Sequence, residues 1–375
     1  MQIPDKEQFD FTVPLAKLLD KGERMLHQMG DKSPHVAKAD GQYDDMRHDW
    51  WTSGFWPGML WILYDLTGEE KYKEAAWSWD EKLERKMIQE NSFHHDVGFQ
   101  FLPTSVIKHK LTGDPDGLRR SVFAANFLAG RFNLAGRFLR AWNQDKLGWS
   151  IIDSSMNLSL LFWAAEATND PRFSHIAKAH ADTVIEHFIR DDGSVCHIVS
   201  FDPVTGEFIE SLGGQGAGPD SAWSRGAAWV IYGMANVYRY TGEEKYLRAS
   251  QRAANFFIAN LPSDHVPHWD FRASEELDNE PRDTSAGACA ASGLLDLASL
   301  LPAKEGSVYR RAAERILMSL HDNYATWDQP NHEAILIHAT GHLPAGQNVD
   351  VSLIYGDYFF LEAIAKLNGW KNRIF

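Results

Sequence analysis

A short turn-and-helix phrase recurs along the chain and dictates a helical architecture. Thr67-Gly68-Glu69-Glu70-Lys71-Tyr72 runs into Lys73-Glu74-Ala75-Ala76, and Thr241-Gly242-Glu243-Glu244-Lys245-Tyr246 runs into Leu247-Arg248-Ala249-Ser250. Thr112-Gly113-Asp114-Pro115 and Thr168-Asn169-Asp170-Pro171-Arg172-Phe173 are degenerate copies, and Gly306 to Ala313 reads as a further bend. Gly or Asn closes one helix in the left-handed conformation, and an acidic residue or Pro opens the next. An aromatic side chain then docks between the two. The copies at 67, 112, 168 and 241 lie 45, 56 and 73 residues apart, which fits two helices per unit with insertions growing in the middle.

Apolar runs precede the bends: 55–64, 156–165, 227–234 and 287–301. They are apolar on nearly all sides, as helices of an inner layer must be, whereas 174–188 and 246–258 carry a polar face and read as outer helices. Alternating inner and outer helices, about six of each, describe an all-α (α/α)6 barrel spanning residues 1–375 as one domain. That reading overrides the two-domain prior for 375 residues. One segment breaks the pattern. Val195 to Phe201, the turn Asp202-Pro203-Val204-Thr205-Gly206, and Glu207-Phe208-Ile209 read as a β-hairpin insertion. The glycine-rich stretch 213–219 follows, and such inserts belong at the rim where a substrate would enter.

Composition narrows the partners. A net charge of −14 opposes binding to nucleic acid or other long polyanions, which need basic stripes. No apolar run approaches a membrane span, and Met1-Gln2-Ile3-Pro4-Asp5-Lys6 lacks the pattern of a secretory leader. Two cysteines make no disulfide framework, so a cytoplasmic monomer or homodimer is the expectation. Fourteen tryptophans suit either a large core or stacking against sugar rings.

Polar residues just ahead of the buried runs are the candidates for chemistry. In His94-His95-Asp96-Val97-Gly98-Phe99 the acid reads first as a helix cap. Adjacent histidines rarely reach one ion together and the HxxxH spacing is missing, so no metal is expected. In Ser150 to Leu158, Asp153 heads an apolar segment. It is either an N-cap or a desolvated carboxylic acid able to deliver a proton near neutral pH. In Trp223-Ser224-Arg225-Gly226-Ala227-Ala228-Trp229, the arginine either clamps a ligand carboxylate or is a stacked structural side chain. His48 to Trp56 heads another inner helix.

These segments resemble the unsaturated glucuronyl hydrolases of glycoside hydrolase family 88. The likeness runs from His48 to about Leu367. It is carried by Trp51-Thr52-Ser53-Gly54-Phe55-Trp56, by His94 to Phe99, and by Ile152-Asp153 with Asn157-Leu158. Trp223 to Gly226 with Trp229, and Gly356-Asp357-Tyr358-Phe359, add to it. The resemblance implies an enzyme without cofactor that removes a 4,5-unsaturated uronic acid from the non-reducing end of lyase products. It does so by hydrating the C4=C5 enol ether. Asp153 falls on the family's general acid/base and Asp96 on its partner aspartate. Trp51, His95, Trp142, His197, Gln215, Arg225 and Trp229 fall on substrate-contacting positions. Ser53 and Ala227 depart from the family pattern. Gly214 stands where members favouring sulfated substrates carry a basic residue. An unsaturated rhamnogalacturonyl hydrolase is the second reading. A sugar isomerase of the N-acylglucosamine 2-epimerase type and a non-catalytic sugar-binding barrel are readings from other classes.

Overall fold

The computed structural model describes residues 9–90 and 92–375; Met1 to Lys6, in which no leader was read, lie outside the described residues. Six inner helices form a closed ring. In order they are α2 (Phe55–Thr67), a composite of α5 (Val97–Phe101), a π-helical turn (Leu102–Val106) and α6 (Ile107–Thr112), then α8 (Ser154–Thr168), α10 (Ser224–Thr241), α12 (Thr284–Ser299) and α14 (Ile354–Leu367). Each packs on the next, and α14 returns to α2. The outer layer is α1 (Thr12–Met29), α3 (Glu70–Ala76) with α4 (Trp79–Gln89), α7 (Pro115–Ala129), α9 (Pro171–His187), α11 (Glu244–Ala259) and α13 (Ala303–Asn323). This is the (α/α)6 barrel read from the hairpin bends.

The recurring phrase works as its chemistry requires. Gly68, Gly113, Asn169 and Gly242 all sit in the left-handed region, with φ of 71°, 73°, 53° and 67°. The preceding threonines add something the spacing did not show. Thr67, Thr112, Thr168 and Thr241 each donate to the carbonyl four residues earlier, at 2.7–2.8 Å. At three of the bends the same hydroxyl accepts from the N–H two residues on, so one side chain satisfies groups of both helices. Tyr72, Phe173 and Tyr246 are buried against the helix pairs as expected. The phrase at Gly306 is not a bend: it lies inside α13, and the chain turns at Leu300 to Pro302 instead.

The β-hairpin is present but larger than the sequence pattern suggested. Strands β5 (Ile198–Phe201) and β6 (Phe208–Leu212) are joined by β4 (Trp149–Ile151) in one antiparallel sheet, with Ile151 opposite Ile198. Since β4 leads directly into α8, the sheet is anchored beside that helix's N-terminus. Two further short antiparallel pairings join β1 (Val36–Ala37) with β7 (Ser352–Leu353) and β2 (Phe132–Asn133) with β3 (Phe138–Leu139). No helix among the described residues is long and apolar enough to cross a membrane.

Candidate active site

Asp96 and Asp153 hold equivalent places, the N-cap positions of α5 and α8. Neither side chain makes a capping hydrogen bond. Elsewhere in the molecule aspartates at N-caps do cap: Asp114, Asp170 and Asp283 each accept from backbone N–H groups of their helix. The cap reading of Asp96 and Asp153 is therefore overturned. Both carboxyls are almost fully buried, and they line one cavity of about 150 Å³ with Trp51, His94, His95, Ala141, Trp142, Ile151, Gln215 and Arg225.

A single asparagine brings the two helix ends together. Asn157 on α8 accepts from the Phe99 N–H at 2.8 Å and donates to the Asp153 carbonyl at 3.1 Å. Glycine is required opposite it, because a Cβ at Gly98 would stand 2.4 Å from the Asn157 Oδ1. The Asp-Val-Gly-Phe and Asp-x-x-x-Asn segments are thus two halves of one junction.

The surroundings of the two carboxyls differ. His95 lies with Nδ1 3.1 Å from the Ala141 carbonyl, which can only accept, so that nitrogen carries a proton. Its Nε2 faces Asp96 Oδ1 at 3.1 Å. A neutral ring would turn a lone pair on the carboxylate, so the pair is imidazolium and carboxylate. Burial works against both charges, but each holds the other: the His95 pKa is raised and the Asp96 pKa lowered from their ordinary values. Burial pushes the neighbouring His94 down to about 4, leaving it neutral with Nδ1 3.2 Å from Asp96 Oδ2. Arg131 buttresses this side by donating to the Ala141 and Trp142 carbonyls, both at 3.0 Å.

Asp153 faces His197 instead, with Nε2 3.4 Å from Asp153 Oδ2. The His197 Nδ1 accepts from the Gln215 N–H at 2.8 Å, so in the neutral ring the proton sits on Nε2 and points to the carboxyl. The His197 carbonyl accepts from Ile152 N–H at 3.0 Å, and Trp223 packs on the ring at 4.4 Å. Gly214 is part of this arrangement. Its φ is +57°, and a Cβ there would reach 2.1 Å from His197 Nδ1, so a basic side chain has no place at this position.

Arg225 is held by the protein. Its Nη1 donates to Asp283 and to the Thr340 carbonyl, and its Nη2 donates to Gln215 Oε1 and the Gly341 carbonyl. The guanidinium lies over Trp223 and Tyr355. The arginine is stacked and braced by the protein, and it also lines the cavity. Accepting from Arg225 fixes the orientation of the Gln215 amide and leaves its N–H donors for a ligand. Asp283 and Tyr355 were not singled out from the sequence; Asp283-Thr284-Ser285 at the head of a buried run was the available signal.

Trp51 stacks near Tyr355 at 4.9 Å and walls the cavity. Trp142 also lines the cavity and meets Trp149 edge to face at 5.5 Å. Trp229 is not on the wall. It lies deeper, fully buried against Phe99 and Phe359, with its Nε1 lacking a partner. Among the described residues, His94, His95 and Asp96 bring ligand atoms within 4.8 Å of one another, the spacing a metal needs. An ion there would have to displace the proton on His95 Nε2. Larger hollows of about 270 and 400 Å³ open at the opposite ends of the inner helices around Lys371 and Arg373. There the acid Asp296 is paired with Arg239 and Lys366.

Residues 22–270 match the sequence model of Glycosyl Hydrolase Family 88. The unsaturated glucuronyl hydrolase of Bacillus sp. (strain GL1) is 36% identical over 92% of this chain and 93% of its own length. An unsaturated chondroitin disaccharide hydrolase of Streptococcus pyogenes serotype M1 is 32% identical over 96% of this chain and 91% of its own. The crystal structure of the Bacillus sp. GL1 enzyme, described as responsible for the degradation of glycosaminoglycan, superposes with a TM-score of 0.93 at 34% identity. That match covers 96% of this chain and 97% of the other.

Proposed function

Because the chain belongs to glycosyl hydrolase family 88, we propose that it is an unsaturated glucuronyl hydrolase. It releases the 4,5-unsaturated uronic acid from the non-reducing end of lyase-generated glycosaminoglycan oligosaccharides. The observation that carries this reading is the pair of N-terminal aspartates, Asp96 and Asp153, standing uncapped on one cavity.

The chemistry asks different things of the two acids, and their surroundings differ to match. Asp96 is charge-paired with His95 and stays ionised, which unfits it to donate a proton and suits it to face a cation. Asp153, free of a cationic partner at hydrogen-bond distance, is the acid. It adds its proton to C4 of the enol ether, and positive charge develops on C5 and the ring oxygen opposite the Asp96 carboxylate. As a carboxylate, Asp153 then takes a proton from the water that adds to C5, which restores the acid. The hemiketal so formed opens to a ketone at C5. The hydroxyl left on C1 turns that carbon into a hemiacetal, which expels the remaining sugar. One water is consumed, and no displacement occurs at the anomeric carbon, so the carboxyl separation carries no stereochemical message.

Trp51 and Trp142 supply ring faces for the sugar, and Gln215 and His197 supply polar contacts. Arg225 positions Gln215, and Trp229 supports the floor. Unsaturated disaccharides made by lyases from chondroitin, hyaluronan and heparin provide the test. The expected result is loss of the ultraviolet absorbance of the conjugated C4=C5 bond on addition of enzyme. If the absorbance persists with all three, this reading fails.

A further inference from the structure

The cavity that holds Asp96 and Asp153, about 150 Å³, is on the scale of one pyranose ring. A sugar attached to that ring must therefore lie outside it, and the structure has a built wall there. Strand β4 runs out from Asp153 with alternating sides. Ser150 turns inward and donates to the Leu139 carbonyl, whereas Ile151 lines the cavity and Trp149 shares its face one step farther out. The Trp142 indole, on the cavity wall itself, meets Trp149 edge to face, so two indoles continue the wall toward solvent.

One cation stands on this aromatic strip. Lys146 Nζ lies 4.3 Å from the Trp149 ring centre and 5.5 Å from that of Trp142. Its backbone is left-handed, φ 54°, a conformation unusual for lysine, and its carbonyl accepts from the Trp149 N–H at 2.9 Å. That closed turn folds the side chain back over the indoles. Among the described residues no carboxylate comes within ion-pairing distance of the Lys146 ammonium, in a chain whose net charge is −14.

We propose that Lys146, seated on Trp142 and Trp149, selects for an anionic substituent, a sulfate ester or a carboxylate, on the sugars that follow the unsaturated uronate. This rests on the hydrolase reading above and deepens it. Gly214 leaves no room for a basic side chain beside His197, so anion recognition, where this chain has it, falls to another residue.

The test compares three substrates: the unsulfated unsaturated chondroitin disaccharide, its 6-sulfated counterpart, and the unsulfated tetrasaccharide that carries a second uronate carboxylate. Each is assayed with wild type, Lys146→Met and Lys146→Glu. A partly solvated ion pair predicts that Lys146→Met lowers kcat/KM about three- to fivefold on the substrate whose anion is read, through KM and not kcat. The unsulfated disaccharide should stay within about twofold, and the selectivity should fade in high salt. Lys146→Glu should produce a larger loss of the same pattern. A loss confined to the sulfated disaccharide identifies sulfate, one confined to the tetrasaccharide identifies carboxylate, and either supports the proposal. Equal effects on all three substrates, or none, overturn it. If the wild type opens none of them, the hydrolase reading fails instead.

Discussion

Asp153 and Asp357 both lie near the N-terminus of an inner helix, and the barrel treats them in opposite ways. Asp357, in the first turn of α14, accepts three hydrogen bonds. Its Oδ1 accepts from the Leu336 N–H at 2.8 Å, and its Oδ2 accepts from the Ile335 N–H and the Tyr43 hydroxyl, also at 2.8 Å. Asp153 at the head of α8 has an Oδ2 with no hydrogen bond from the protein, and Asp96 at the head of α5 has an Oδ1 in the same condition. A buried carboxyl with protein donors on both oxygens braces the fold. A buried carboxyl left short of donors costs stability and keeps its lone pairs for chemistry. The two regions separate what holds the ring closed from what the ring is for.

The largest expected effects would break this comparison if they fell the other way. Asp153→Asn should lower kcat by about a thousandfold or more, as removal of an essential proton donor does. Its thermal midpoint should stay at or above that of wild type. Asp357→Ala should do the reverse. It strands two backbone N–H groups and the Tyr43 hydroxyl, at a cost of about 3–5 kcal/mol, while folded enzyme keeps its kcat. Calorimetry beside steady-state kinetics on both variants decides the matter. An Asp153→Asn enzyme that turns over normally would remove that residue from the chemistry.

Asp96→Asn should be the next most severe, lowering kcat by about a hundredfold by removing charge from opposite the developing cation. The junction between the two helix heads comes after it. Gly98→Ala drives a methyl into Asn157 and should cost about 1–3 kcal/mol, with activity falling because the Asp96–Asp153 spacing changes. A Gly98→Ala enzyme of unchanged midpoint and rate would show that the junction yields freely.

The smallest effects are in pH dependence, and their signs differ between the regions. Burial raises the Asp357 pKa to about 6. Its contribution to stability is complete below the ordinary carboxylate range and is lost as pH rises through about 6, and Asp357→Asn should flatten that fall. Asp96 is lowered by His95, against the effect of burial. Its contribution is present above the ordinary carboxylate range and is lost as pH falls through its lowered pKa. The raised His95 contributes fully below the ordinary histidine range and loses that contribution as pH rises through its own raised pKa. Asp96→Asn should therefore lower the midpoint most in the interval around pH 6, where both contributions are present, and flatten the acid and alkaline limbs. Thermal midpoints measured across pH check both.

Local order alone was enough to read the barrel. The Thr-Gly and Thr-Asn bends, the acidic or proline starts and the all-round apolar runs are properties of consecutive residues, and helix caps and buried helices form wherever those residues occur. The β-hairpin was legible for the same reason, but β4 was not, since a three-residue strand has no period of its own and exists only by pairing with β5. The site divides the same way. Asp96, Asp153, His95 and Gln215 were marked by their positions ahead of apolar runs or by family resemblance. Whether an aspartate at a helix head caps, braces or reacts was not legible, because Asp96, Asp153, Asp283 and Asp357 look alike in one dimension. Only the tertiary structure decided it, through the groups that meet each carboxyl: N–H donors of Ile335 and Leu336 for Asp357, Arg225 for Asp283, and for Asp96 and Asp153 a facing imidazole, His95 or His197, in place of a capping donor. A helix forms from the residues within one turn of each other, whereas the state of a carboxyl depends on whichever groups the closed ring brings to it.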